Sequence, residues 1–122
     1  MEDTANRNDI VLKIAEFINE MNGIDTIALD LTGHNGWTDY FIITTVTSSA
    51  HLRGIYRKLQ DQFELLGINP LRRHKKIDND SWVLIDCGDF IIHLMDSEHR
   101  DFYELEKLWF NSNIIYQASK SS

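Results

Sequence analysis

Cysteine and proline each occur once in this 122-residue chain, as Cys87 and Pro70. One cysteine excludes an internal disulfide framework and a cysteine-rich zinc site, and the simplest compartment for such a chain is a reducing cytoplasm. No apolar run approaches the ~18 residues that a membrane span needs. The amino terminus, MEDTANRND, is acidic and polar. It lacks the basic start and apolar stretch of a secretory signal, and the arginine-rich character of a transit peptide. Catalytic signatures are missing too. There is no glycine-rich loop followed by Lys and Ser or Thr, no GxGxxG and no serine nucleophile elbow. The histidines, His34, His51, His74, His93 and His99, form no HExxH, and none has zinc spacing to Cys87. Acidic neighbours raise the pKa of the Cys87 thiol, which argues against a reactive thiolate. The expectation is a protein with no cofactor, no metal and no catalytic residues.

What is present is an uneven charge. The formal net charge is −7. Residues 1–50 hold 8 acidic and 2 basic side chains, residues 51–76 hold 7 basic and 2 acidic, and residues 77–110 hold 9 acidic and 2 basic. Nucleic-acid binding needs a dominant positive field, because counterion release drives it. Only the middle segment offers one, through Arg53, Arg57, Lys58, Arg72, Arg73, Lys75 and Lys76. It is either a minor RNA contact or a solvated helix face. The acidic 77–110 stretch is drawn to a basic protein surface and repelled by phosphate.

Periodicity supplies the elements. Ile10, Ile14, Phe17, Ile18 and Met21 predict an amphipathic helix over 9–21, stopped by Asn22-Gly23. Alternation predicts a strand over 24–31, and DYFIITTV (39–46) predicts a central strand, apolar on both faces. Leu52, Ile55, Leu59, Phe63 and Leu66 line one face of a helix over 49–66, capped by Ser48 or Ser49 and ended by Gly67. Residues 68–76, with Pro70, suit an edge strand or an extended link. A hairpin follows, WVLID and DFIIHLM around Cys87-Gly88, then a helix that Ser97 can cap, with Glu98 and Asp101 in its first turn. The expected architecture is α/β, a mixed sheet of about five strands with helices packed on it. Residues 1–110 form one domain in this reading, and 111–122 a loose polar tail.

The hairpin carries the candidate site. With Cys87-Gly88 as the turn, Asp86 faces Asp89, Leu84 faces Ile91 and Trp82 faces His93. One face, Val83, Ile85, Phe90, Ile92 and Leu94, is wholly apolar and belongs to the core. The other mixes Trp82, Leu84, Ile91 and Met95 with Asp86, Asp89 and His93. Opposed aspartates cost stability unless a cation or a function offsets them. A tryptophan among acids resembles an interface anchor. The plainer alternative puts Trp82 under the last helix and leaves the aspartates to shape the turn. A divalent metal at Asp86, Asp89 and His93 is the weaker alternative.

WVLIDCGDFIIHLM followed by EHRDFYELEKLW resembles the Iojap-like ribosomal silencing factors, and LDLTGHNGWTDYFIITTVTSSAHLRGI is similar to that family's first half. The likeness covers about residues 9–110 and departs at Trp37 and at HKKIDNDSW. It implies a nucleotidyltransferase-like fold stripped of catalytic motifs. It also implies a translation repressor that works under nutrient limitation. Such a factor binds the large ribosomal subunit at the ribosomal protein numbered fourteen and blocks subunit joining. The contact set it implies is Trp82, Leu84, Asp86, Asp89, His93, Glu98, Arg100 and Tyr103, with Arg100 alternatively paired to Asp96 or Glu104. Tyr40, Phe41, Phe102 and Trp109 are assigned to the core. The competing function is a divergent Mg²⁺-dependent nucleotidyltransferase-like enzyme using the Asp86/Asp89 turn.

Overall fold

In chain order the elements are helix α1 (Glu2–Glu20), strands β1 (Ile24–Asp30) and β2 (Tyr40–Val46), helix α2 (Ser49–Leu66), strands β3 (Lys75–Lys76), β4 (Trp82–Asp86) and β5 (Phe90–Asp96), helix α3 (Ser97–Tyr103) and strand β6 (Asn113–Gln117). The structure, a computed structural model, describes residues 2–32, 38–70, 75–76, 81–103 and 113–118. The strands form one mixed sheet ordered β3-β4-β5-β2-β1-β6. The β2–β5 pair is parallel and the other pairs are antiparallel. The α/β class and the mixed sheet match the expectation from sequence.

All seven residues of β2 are buried, as its apolar run requires of a central strand. Its side chains alternate between two cores. Tyr40, Ile42 and Val46 enter the first, with Val11, Ile14 and Ile18 of α1 and Leu52, Ile55, Leu59 and Phe63 of α2. Each of those four α2 side chains is buried, a gain of about 1.5–3 kcal/mol apiece. Phe41 and Ile43 enter a second core on the opposite face, with Ile27, Leu29, Leu31, Ile91 and Met95.

Local signals end the helices. Ser48 is extended and its Oγ accepts the His51 N–H at 3.0 Å, which caps α2. Gly67, at φ 71°, closes it in a left-handed turn while Ile68 N–H reaches the Phe63 carbonyl at 2.8 Å. His51 Nδ1 accepts the Thr47 N–H, so Nε2 holds the proton and donates to the Met21 carbonyl at 3.0 Å. The start of α2 is thereby tied to the end of α1. At that end Asn22, at φ 69°, takes the left-handed position, and Gly23 has a steric role instead. A Cβ on Gly23 would collide with Thr44 Oγ1 and come within 2.9 Å of Ile18 Cγ2.

Three boundaries differ from the sequence reading. Helix α1 begins at Glu2, ahead of Ile10, the first residue of the apolar stripe from which the sequence reading placed its start. Residues 113–117, expected to be loose tail, form β6 against β1, and Ile115 and Tyr116 pack on the first core. A register irregularity between Ala28 and Leu29 breaks the period of two there, which hid the strand. The hairpin turn is Gly88-Asp89, one residue later than expected. Cys87 N–H bonds the Phe90 carbonyl at 2.9 Å, and Gly88, at φ 89°, supplies the positive angle that tight hairpin turns demand. Trp82 therefore faces Met95, Leu84 faces His93 and Asp86 faces Ile91. A shift of two in register leaves each residue on its expected face but removes the Asp86–Asp89 opposition.

Thr44 cannot retreat freely from Gly23, since its Oγ1 is 2.7 Å from Thr26 Oγ1 in the buried interior. Gly23→Ala should lower stability by about 1–3 kcal/mol in urea unfolding. A wild-type midpoint would contradict this packing.

Candidate docking site

Strands β4 and β5 carry four of the candidate residues, Trp82, Leu84, Asp86 and His93, on the second-core face; Asp89 lies in the turn between them, and Glu98, Arg100 and Tyr103 lie on α3. Trp82 and Leu84 are half-buried there and pack against that core, while Ile91, His93 and Met95 beside them are buried. Two acidic ends flank this apolar centre. Asp86 and Asp89 lie at the turn. Asp96, Glu98 and Asp101 lie where β5 runs into α3, with Glu98 and Asp101 exposed. Five strand residues, roughly 13 Å of rise between Trp82 and Asp86, separate the ends.

The turn is held from both sides. Asp86 Oδ1 accepts the Gly88 N–H at 2.9 Å, so this half-buried carboxylate shapes the bend. The Asp89 carbonyl accepts N–H bonds from Asp39 at 3.0 Å and Tyr40 at 3.2 Å, and the Thr38 hydroxyl at 3.2 Å. Its side chain stays exposed. Thr38 was not foreseen, because only the fold brings it to a turn 51 residues away. Cys87, half-buried beside this turn, has its thiol pushed up to about 12 by burial and by Asp86.

At the other end Asp96 caps α3, where Ser97 was expected. Its Oδ1 accepts the His99 N–H at 2.9 Å and His99 Nδ1 at 2.8 Å. Burial alone would raise the Asp96 carboxyl, but the His99 and Ser81 hydrogen bonds outweigh it and hold the group below its usual value. A carboxylate only accepts, so His99 Nδ1 carries the proton. Aspartate is a favoured N-cap residue, so Asp96 itself was a readable signal for this cap. The His99 ring lies 5.9 Å from the Trp82 ring.

Two expected contact residues are buried and cannot meet a partner directly. Arg100 is 8% exposed, and its Nη1 donates to the Ile24 carbonyl at 3.2 Å and to Thr45 Oγ1 at 3.0 Å. It ties α3 to β1 and β2. His93 is 4% exposed, set edge-on to Phe41 at 4.7 Å between ring centroids. The Trp82 indole Nε1–H donates to His93 Nδ1 at 3.2 Å. Indole can only donate, so the imidazole proton sits on Nε2, which has no hydrogen-bond partner among the described residues. An orphaned buried donor costs about 1–3 kcal/mol. The Tyr103 side chain, Phe102 side chain, Glu104 and Trp109 lie outside the described residues.

Among the described residues no three His, Cys, Asp or Glu side chains gather to hold a metal ion. A cleft of about 460 Å³ opens at the carboxyl ends of β2 and β5, lined by Ile24, Thr45, Val46, Thr47, Asp96, Ser97 and Glu98. Among the described residues no helix is long and apolar enough to cross a membrane.

Comparison with known proteins agrees with this architecture. The family described as "Ribosomal silencing factor during starvation" matches residues 4–122. The ribosomal silencing factor RsfS of Bacillus subtilis is 33% identical over 104 residues, covering 85% of this chain and 87% of that protein. The mouse protein named mitochondrial assembly of ribosomal large subunit protein 1 is 33% identical over 98 residues, 79% of this chain and 43% of its own length. A crystal structure of a Chromobacterium violaceum protein superposes with a TM-score of 0.76 at 24% identity, covering 93% of each chain, and shows the same fold.

Burial holds the His93 pKa down from 6.5 to about 4. The unfolded chain then takes up the proton first, so stability should fall as pH drops from about 6.5 towards about 4 and be unaffected by this group above that window. Thermal melts should show His93→Leu gaining on wild type across this interval. Parallel curves would mean that His93 is protonated within the fold.

Proposed function

The chain belongs to the family of ribosomal silencing factors during starvation, and from that premise we propose that it is a non-enzymatic translation repressor. In this reading it docks on the large ribosomal subunit, at the basic ribosomal protein numbered fourteen, and its bulk keeps the small subunit from joining when nutrients are short. It acts in the cytoplasm.

The observation that carries the reading is the β4–β5 face. A half-buried Trp82 and Leu84 form an apolar centre, and exposed carboxylates stand at both ends. An apolar anchor ringed by charge is how interfaces concentrate their energy. Its negative sign suits a basic ribosomal protein and disfavours the RNA around it, so charge guides the factor to the protein. Trp82, Leu84, Asp86, Asp89, Glu98 and Tyr103 are the contact set. His93 and Arg100 support it from below. Arg53, Arg57 and Lys58 are exposed on α2, which supports a minor contact of that segment with ribosomal RNA.

The test is co-sedimentation with free large subunits. Asp89→Lys with Glu98→Lys reverses two exposed charges without touching the turn bond or the α3 cap. It should weaken binding at least ~10-fold and leave the melting temperature unchanged. Asp86→Asn keeps an acceptor for Gly88 and should lose affinity only modestly. Undiminished binding by the double variant would remove the site.

A further inference from the structure

We infer that His93 is a positioning residue for docking, the acceptor that holds the Trp82 indole in its binding orientation before any partner arrives. The inference rests on the docking role of the β4–β5 face.

Three observations carry it. His93 lies beneath the face, buried among Phe41, Ile91 and Met95, and so cannot touch a partner itself. Its one hydrogen bond to a described side chain runs outward, from the Trp82 indole to Nδ1. Its other nitrogen is buried and has no hydrogen-bond partner among the described residues. An apolar side chain at this position would remove the stranded imidazole donor, at the cost of leaving the indole N–H of the half-buried Trp82 without this acceptor. What an apolar side chain cannot do is accept the indole N–H. Trp82 and His93 are diagonal neighbours across the β4–β5 pairing, because Trp82 faces Met95 and His93 faces Leu84. The bond therefore leans the indole along the ribbon towards Leu84, the other apolar element of the proposed anchor. The His99 ring lies 5.9 Å from the indole ring and is itself held by Asp96. A side chain ordered in advance does not lose its rotational freedom on binding, and that saving appears as affinity.

The experiment titrates purified free large ribosomal subunits with wild type, Trp82→Ala, His93→Leu, His93→Asn and the Trp82→Ala/His93→Leu double variant. His93→Leu should bind about 5–10-fold more weakly while melting no lower than wild type at neutral pH. His93→Asn, whose Oδ1 falls near the Nδ1 position, should recover most of the loss. In the Trp82→Ala background the leucine should have no further effect. In the nitrogen–proton spectrum the Trp82 indole resonance should move in His93→Leu and stay near its place in His93→Asn. Wild-type affinity for His93→Leu, or an equal loss with and without Trp82, would overturn the inference. If Trp82→Ala itself binds like wild type, the docking reading fails instead. The imidazole nitrogen shifts of wild type decide the matter without any variant: a proton on Nε2 supports the inference, and a proton on Nδ1 overturns it.

Discussion

Every residue of β2 is buried, and both faces of the sheet at its centre therefore have to be covered. A sheet wet on one side could have been closed by α1 and α2 alone. Here those helices seal the first core, and a second core builds on the other face from β1, β2, β4 and β5. The devices around β2 follow from this. Gly23 lets the chain pass against Thr44, Arg100 bonds across to Thr45, and the Asp89 carbonyl anchors the residues that lead into Tyr40.

The same constraint shapes the proposed docking surface. Strand β4 lies two places from β2 in the sheet, at the margin of the second core, where burial becomes partial. Its residues alternate between buried Val83 and Ile85 and half-buried Trp82, Leu84 and Asp86. A tryptophan at such a margin has a packed body and an accessible edge, which is what an anchor needs. Deeper in the sheet it would be plain core. On an unsupported edge it would lack a fixed direction.

In the role inferred for His93, stability and binding pull apart. A buried imidazole whose N–H finds no acceptor among the described residues costs stability. Two acids of this face are, by contrast, satisfied by local hydrogen bonds. Asp86 is held by the Gly88 amide, and Asp96 by His99 and Ser81. The acids most exposed to a partner, Asp89, Glu98 and Asp101, are the ones whose charge is cheapest to keep, because water still solvates them.

Composition and periodicity by themselves determined the α/β class, both long helices, the central place of β2 and the apolar face of the hairpin. Each of these follows from which side of an element a residue falls on, and side is a local property of chain geometry. The acidic ends of the ribbon were equally readable as charge along the chain. Only the tertiary structure decided the Gly88-Asp89 turn, since alternation reports side but is blind to a slip of two residues. It alone turned 113–117 into a strand, because a register irregularity hides the period there. Above all it decided that the mixed face of the hairpin is half covered. That took His93 and Arg100 out of any direct contact, since burial depends on what lies above a side chain, and the chain around it does not say what that will be.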